Sequence, residues 1–176
     1  MPSTSPVPPI AELLDSTRQS ACHLEMRDVY AVAPESTELA AWRRTGQRSG
    51  PESAYWRSWV ELVRRAVARG VSVRRARVVS EPVTEYIRFE HAGTPVNLAA
   101  GEDVRWLPRR HASDIALPGN DFWLLDGRLV RFGHFNGDGA LTGHELTEEP
   151  AVLELCSAAF ETVWSRAVPH DQYRIH

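Results

Sequence analysis

The segment from His134 to Glu145 has the spacing of a calcium-binding loop. With His134 as the first position of an EF-hand loop, Asn136 and Asp138 fall at the third and fifth. Gly139 then takes the glycine position, and Glu145 takes the twelfth. Histidine is a poor ligand for a hard cation, and the preceding residues alternate like a strand where an EF-hand has a helix. Tight turns use the same residue types, so we interpret this segment as a turn between two strands.

Four histidines are candidate ligands for a transition metal: His91, His111, His134 and His144. They form no HxH or HxxxH pair, and no acidic residue is spaced to complete a ligand set. Cys22 and Cys156 are too few and too far apart for a zinc cluster or a disulfide framework. All twenty basic residues are arginine, which excludes a P-loop and a lysine aldimine. We expect no metal and no cofactor.

Ser80 ends an apolar run just before Pro82, the place that a nucleophile elbow would take. The motif GxSxG is absent, however, and no base can be assigned. Ser80 is more simply interpreted as the N-cap of the next helix. A helix N-terminus at the carboxyl end of a strand is also where α/β proteins bind anions. A ligand site here therefore remains an alternative.

Six residues make up the ligand site that we predict at the ends of two strands: Ser80, Glu81, Tyr86, Arg88, Arg105 and Trp106. Arg88 or Arg105 would pair with a small anionic ligand through two parallel hydrogen bonds, and Trp106 would form an apolar wall. The competing interpretation is that Arg88 pairs with Glu85 or Glu90 and that Trp106 fills the core.

The elements that position these residues follow from hydrophobic periodicity. The pattern predicts a helix from Ile10, a strand over 23–32, a helix over 35–46 and a helix over 49–70. Ser49 or Ser53 would cap the last of these, and its buried face would hold Trp56, Val60, Val63 and Val67. Tyr55, Trp56 and Trp59 form either an exposed docking face or part of the core.

The next three elements predict a βαβ unit. They are a strand over 71–80, a helix over 80–101 with Pro82 in its first turn, and a strand over 102–109. Asp126-Gly127 then lies between two apolar runs, the strongest short signal for a β-hairpin.

A second turn at 136–139 leads into a strand over 140–148. The final helix over 150–168 carries an apolar stripe of Val152, Leu155, Ala159 and Val163. The predicted fold class is α/β: a mixed sheet with a βαβ unit followed by antiparallel hairpins, and helices packed on the sheet. Residues 1–9 would be a disordered lead-in, and residues 10–176 a single domain.

Composition narrows the class of protein. The chain has 176 residues, 43% of them apolar, and a net charge of −3. A general nucleic-acid binder would carry an excess of basic residues, so we expect no direct contact with nucleic acid. No apolar run reaches the roughly 20 residues of a membrane span, and the first residues lack the features of a signal peptide. We therefore expect a cytoplasmic protein without a membrane contact.

The strand that enters the Asp126-Gly127 hairpin resembles the HxKxxxxDG motif of phospholipase-D-like proteins. Gly119 stands where the motif has its nucleophilic histidine, and Asp121 where it has lysine. Glycine cannot attack phosphorus, and a carboxylate would repel phosphate. The resemblance therefore implies a non-catalytic descendant, with a coincidental hairpin as the alternative.

A second resemblance covers residues 13–173. The chain resembles an actinobacterial family, domain of unknown function 6879, in the stretches HLEMRDVY, RARVVSEPVTEYIRFE, NLAAGEDVRWLPR, DFWLLDGRLVRFGHF and AVPHDQY. The resemblance implies a regulatory or accessory role beside helix-turn-helix regulators of the Xre type, and it supplies no catalytic residues.

These observations lead to two hypotheses of function. The first is a non-enzymatic regulatory or accessory module that binds a helix-turn-helix regulator or a small ligand. The second is a small biosynthetic or hydrolytic enzyme whose acid/base site lies near Glu81, Asp121 and His134. Glu85 and Asp103 are further candidate acids for such a site.

Overall fold

The computed structural model describes residues 6–176. Seven strands form one sheet: β1 (Ser20–Glu25), β2 (Ser72–Val79), β3 (Asp103–Pro108), β4 (Phe122–Leu125), β5 (Leu129–Phe135), β6 (Leu141–Thr147) and β7 (Val168–Pro169). Within the same residues, five α-helices accompany the sheet: α1 (Ile10–Ser16), α2 (Ala33–Thr45), α3 (Arg57–Ala68), α4 (Glu85–Ala100) and α5 (Pro150–Arg166). Of the predicted disordered lead-in, residues 1–5 lie outside the described residues, and residues 6–9 have no regular secondary structure.

The sheet is mixed, as predicted. Its strand order is β6-β5-β4-β1-β2-β3-β7. The three central strands β1, β2 and β3 run parallel, and helix α4 is the crossover between β2 and β3. All other neighbouring pairs are antiparallel. The βαβ unit and the two late hairpins are therefore confirmed.

The β4–β5 hairpin has the turn that its sequence predicts. Asp126 and Gly127 both have positive φ, at 51° and 64°, which is the type I′ geometry that matches the twist of paired strands. The Asp126 carboxylate also accepts hydrogen bonds from the backbone N–H groups of Arg18, Gln19 and Ser20. The turn thereby ties the end of the hairpin to the start of β1.

The predicted bounds of the first strand and the predicted start of helix α4 are wrong. The first strand is Ser20–Glu25 and not 23–32, because polar side chains replace the sheet hydrogen bonds after Glu25: the Met26 N–H donates to Asp121 Oδ1 at 2.8 Å. Helix α4 begins at Glu85 and not near Pro82, because Thr84 Oγ1 accepts from the Ile87 N–H at 3.1 Å and caps it. The expected Ser80 cap is therefore wrong.

Helices α3 and α5 are confirmed with changes in detail. Helix α3 begins at Arg57 after a series of turns, with neither Ser49 nor Ser53 as its cap. Val67 and Leu155 lie at the margins of their predicted apolar stripes and are exposed. Trp56 packs in the core with Val60 and Val63.

The two faces of the sheet differ in chemistry. On one face Leu24, Val78, Phe122 and Val130 pack against α5 in an apolar core. Because side chains alternate along a strand, the residues between them point to the opposite face, toward α1, α3 and α4. That opposite face carries charged side chains in its middle.

Candidate functional site

Two adjacent rows of side chains cross the charged side of the sheet, and their residues follow from the strand register. The first row is Arg131 opposite Trp123, Trp123 opposite His23 and His23 opposite Arg75. The second row contains Asp121, Glu25, Arg77 and Trp106. We call this surface the polar face.

The polar face forms the floor of a cavity of about 210 Å³. One water molecule occupies roughly 30 Å³ in the liquid, so the cavity has room for a small organic molecule. Tyr30, Glu35 and Tyr86 form its walls, and Leu141, which is 44% exposed, lies where it meets the surface. A second cavity of about 430 Å³, bordered by Tyr55 and Trp59, shares His23, Glu35, Arg75 and Trp123 with the first. The two cavities are thus neighbours on one face.

Two arginines and three glutamates form a buried ion-pair network beneath the cavities. Arg75 contacts Glu25 at 2.5 Å and Glu102 at 2.6 Å. Arg77 contacts Glu25 and Glu90, each at 2.6 Å. Burial alone would raise the pKa of Glu25, but Arg77 and Arg75 hold it well below its usual range. Each charged group of the network thus has at least one oppositely charged partner inside it.

Arg131 is the exception on the polar face. Its residue is 9% exposed, and its guanidinium has neither an ion pair nor a hydrogen bond with any of residues 6–176. Burial lowers the pKa of Arg131, and no carboxylate among the described residues offsets this effect. A buried cation without a partner costs several kcal/mol unless something else supplies the counter-charge. Arg131 lines the 210 Å³ cavity, and its Nε is buried without a hydrogen-bond partner among residues 6–176.

Two carboxylates of the cavity have tyrosines as partners. The hydroxyl of Tyr30 donates to Asp121, and burial raises the pKa of Asp121 to about 6. The hydroxyl of Tyr86 donates to Glu35 at 2.6 Å, and burial together with the Glu90 charge raises the pKa of Glu35 to about 7. Neither carboxylate has an ion pair within the described part of the chain. Both would gain from a cationic partner.

Aromatic rings complete the floor. His23 stacks on Trp123 with ring centroids 4.2 Å apart and planes at 13°. Burial lowers the pKa of His23 to about 3, so its ring is neutral near pH 7. His144 also lines the cavity, and burial lowers its pKa. The arginines that line the cavity are therefore Arg75, which is ion-paired, and Arg131, which is not paired within the described residues.

The family comparison agrees with the resemblance in the sequence. The family model for "Domain of unknown function (DUF6879)" matches residues 8–175. The chain belongs to this family. No protein among the curated ones matches the sequence.

Two solved structures are similar to this chain over most of its length. Nuc, a phospholipase D family member from Salmonella typhimurium, is similar with a TM-score of 0.50 and 14% identity, over 94% of this chain and 88% of Nuc. TrmBL2, an archaeal chromatin protein, matches with a TM-score of 0.49 and 12% identity over 90% of this chain. The chain spans 49% of the length of TrmBL2. At such identities the likeness to Nuc shows a common fold alone.

The phospholipase-D-like motif lies beside the cavity. Asp121, at the lysine position of the motif, is 5% exposed and lines the cavity with its side chain bound to Tyr30. Gly119 precedes β4 and borders a separate cavity of about 310 Å³ with Arg27 and Arg109. Neither the histidine nor the lysine of the motif is present at these two positions.

The structure separates the six residues of the predicted ligand site. Ser80 donates to Asp28 at 2.6 Å and accepts from Arg109, whereas Glu81 binds Arg110 and Tyr173. Arg88 is exposed on α4, and Arg105 lies over the ring of Trp164. Trp106 is fully buried and donates to His170 Nδ1 at 3.1 Å. Only Tyr86 lines the 210 Å³ cavity, so the six do not converge on one crevice.

The other sequence candidates also occupy different places. His134 pairs with Glu145 at the surface, and Asn136 Oδ1 accepts from the N–H groups of Asp138 and Ala140, as in a tight turn. Glu85 binds Arg43 on exposed helices, and Asp103 is exposed. Across residues 6–176, no three His, Cys, Asp or Glu side chains are grouped to hold a metal ion. No helix in the same range is long and apolar enough to cross a bilayer.

Sequence reasoning missed Arg131, Glu35, Glu25 and Tyr30. One signal was available: Arg75 and Arg77 stand at alternate positions of one apolar strand, and Arg131 interrupts another. Charged residues at the inward positions of a central strand are rarely buried without partners, so such a pattern indicates a polar interior.

Proposed function

We propose that this protein is a cytoplasmic, non-enzymatic regulatory or accessory module that binds a small molecule in the cavity on its polar face. The observation that carries the proposal is Arg131: a buried guanidinium without a counter-ion among the described residues, in the lining of a cavity large enough for a ligand. Ligand pockets combine apolar and aromatic walls with a few fixed polar groups, and this cavity has both.

The polar groups of the cavity are better suited to binding than to covalent chemistry. The histidine position of the phospholipase-D-like motif is glycine, and the neutral ring of His23 is stacked on Trp123. Tyr30 and Tyr86 are hydrogen-bonded to carboxylates, and burial raises the pKa of each hydroxyl. These hydroxyls are therefore protonated near neutral pH and serve as donors.

One observation favours the enzymatic alternative. Asp121 lines the cavity with a pKa of about 6, a value suited to a general acid or base near neutral pH. The other members of the predicted acid/base site do not accompany it, because Glu81 binds Arg110 and His134 binds Glu145. Asp121 alone would have to carry the proton transfer.

Calorimetric titration with a defined panel of small anions, cations and zwitterions tests the proposal. We expect at least one class to bind the wild-type chain and to bind Arg131→Gln at least tenfold more weakly. Arg88→Gln removes the same charge from an exposed site and should bind like wild type. Absence of binding by every panel member, or equal binding by both variants, would overturn the proposal.

The family resemblance adds a partner to the proposal: a helix-turn-helix regulator of the Xre type. Size-exclusion chromatography of the purified chain with such a regulator tests this part separately. Co-elution would support a regulatory complex, and separate elution at micromolar concentrations would remove the regulator from the proposal while leaving the ligand site intact.

A further inference from the structure

Charged side chains of opposite sign line the same cavity without forming an ion pair within the described residues. Arg131 has no partner within the described residues, and Glu35 has one hydrogen bond, from Tyr86, and no ion pair. Every other arginine on the polar face is paired: Arg75 with Glu25 and Glu102, and Arg77 with Glu25 and Glu90. What remains after this internal pairing, among the described residues, is one cation, Arg131, and two carboxylates without an ion pair, Asp121 and Glu35. Asp121 already accepts from the Met26 N–H and the Tyr30 hydroxyl, whereas Glu35 accepts from Tyr86 alone and is the better placed to accept from a ligand.

Arg131 and Glu35 stand on different elements. Arg131 is on β5, two strands away from β1 in the sheet order, whereas Glu35 is on α2 and lies near Glu90, Glu25 and Arg77. Neighbouring strands are about 4.8 Å apart, so the backbone positions of β5 and β1 are separated by roughly 10 Å. A ligand that bridges Arg131 and Glu35 needs charged ends separated by several bonds.

Aromatic and apolar side chains cover part of the cavity lining between the two charges. Trp123 lies next to Arg131 in the register, and His23, which is neutral, stacks on it. Val32 and Phe135 also line the cavity. A short aliphatic chain would cover this surface, whereas a third charge in the middle of the ligand would lose its hydration without a partner.

We propose that the cavity binds a small zwitterion, with its carboxylate on Arg131, its ammonium group on Glu35 and its aliphatic chain over Trp123. This inference rests on the proposed function and assigns the chemical class of the ligand. A guanidinium binds a carboxylate through two parallel hydrogen bonds, and a carboxylate with a tyrosine donor on one side still accepts from an ammonium group. Each end of the ligand thereby replaces a missing counter-charge.

A matched set of probes tests the class. The zwitterions are β-alanine, 4-aminobutyrate and 6-aminohexanoate, and the single-charge controls are butyrate and butylamine. We expect one zwitterion to bind the full chain at least tenfold more tightly than either control in calorimetric titration at pH 8. The preferred chain length reports the distance between the two charges.

Two conservative variants assign the ends of the ligand. Arg131→Gln should weaken binding of the zwitterion about tenfold to a hundredfold and abolish its advantage over butylamine. Glu35→Gln should have the same effect relative to butyrate. The exposed changes Arg88→Gln and Glu154→Gln remove equal charges elsewhere and should leave the affinity unchanged. Circular dichroism verifies that all four variants fold.

The probes distinguish a failure of the zwitterion assignment from a failure of the proposed function. Butyrate that binds as tightly as every zwitterion would overturn this inference and leave the cavity as an anion site, consistent with the proposed function. If butylamine binds as tightly as every zwitterion, the inference is also overturned, and the cavity is a cation site. If none of the five probes binds, the zwitterion assignment is wrong, and binding of some other panel member then decides whether the proposed function stands.

Discussion

Arg131 and Trp123 face each other across the β4–β5 ladder, on the side of the sheet away from α5. Such a cross-strand pair usually joins two side chains that stabilise each other. Here Arg131 is a buried cation with no counter-ion among the described residues. The residue that would bind a ligand is therefore expected to lower the stability of the ligand-free protein. A residue retained for a ligand can cost the empty protein free energy of unfolding.

The first prediction is that Arg131→Met stabilises the ligand-free chain. The change removes an unpaired charge from a buried site and keeps most of the side-chain volume, so the free energy of unfolding should rise by about 1 kcal/mol. Urea denaturation measures the difference. Arg88→Met, on an exposed surface, should change it by less than about 0.5 kcal/mol. A loss of stability in Arg131→Met would show that the guanidinium has a structural partner.

The second prediction concerns pH and Asp121. Its pKa is raised from 3.8 to about 6 by burial, so between about pH 4 and pH 6 the folded chain holds a proton that the unfolded chain has released. Stability from this group therefore falls as pH rises through that range and then stays level. The pKa of Glu35 is raised from 4.5 to about 7, so this group adds a further decrease in stability as pH rises to about 7.

Asp121→Asn should remove the Asp121 part of this dependence. The upper bound is about 3 kcal/mol, from two pKa units at about 1.36 kcal/mol each. Urea denaturation at pH 4.5 and pH 6.5 compares the wild type, Asp121→Asn and the exposed control Asp103→Asn. If the free energy of unfolding changes equally between the two pH values in all three proteins, the raised pKa of Asp121 is contradicted.

The third prediction is that Glu25→Gln is strongly destabilising. Glu25 contacts both Arg75 and Arg77, and its loss leaves each buried guanidinium with one carboxylate instead of two. We expect the free energy of unfolding to fall by about 3 kcal/mol. Glu161→Gln breaks a more exposed pair with Arg74 and should cost less than about 1 kcal/mol. Similar small losses in both variants would mean that the network is hydrated.

The fourth prediction is that zwitterion affinity rises with pH between about 6 and 8. Glu35 ionises near pH 7 and only then pairs fully with an ammonium group. Glu90 and Glu25 raise its pKa, and Arg77 lowers it; the Tyr86 hydroxyl remains protonated in this range. Calorimetry at pH 6 and pH 8 should show about a tenfold difference for wild type and none for Glu35→Gln. A pH-independent affinity in wild type would exclude Glu35 as the ammonium partner.

The sequence alone was sufficient to predict those elements that depend on residues close together in the chain. Asp126-Gly127 predicts its type I′ turn because both residues tolerate positive φ, and the strand–helix–strand pattern around α4 predicts the parallel crossover. Strand alternation is likewise local, and it puts Arg75 and Arg77 on the same side of β2. These properties depend on neighbours within a few residues, which is the range that periodicity and turn chemistry describe.

Only the tertiary structure decided what the polar face does. Glu25 is 50 residues from Arg75, and Asp121 is 91 residues from Tyr30, so no spacing in the sequence reveals either pair. Thr84 rather than Ser80 caps α4 because Ser80 is held by Asp28, 52 residues away. Whether a buried charge is compensated depends on which distant strands become neighbours. That is why pairing satisfies Arg75 and Arg77 and leaves Arg131 free in the cavity, within the part of the chain that the structure describes.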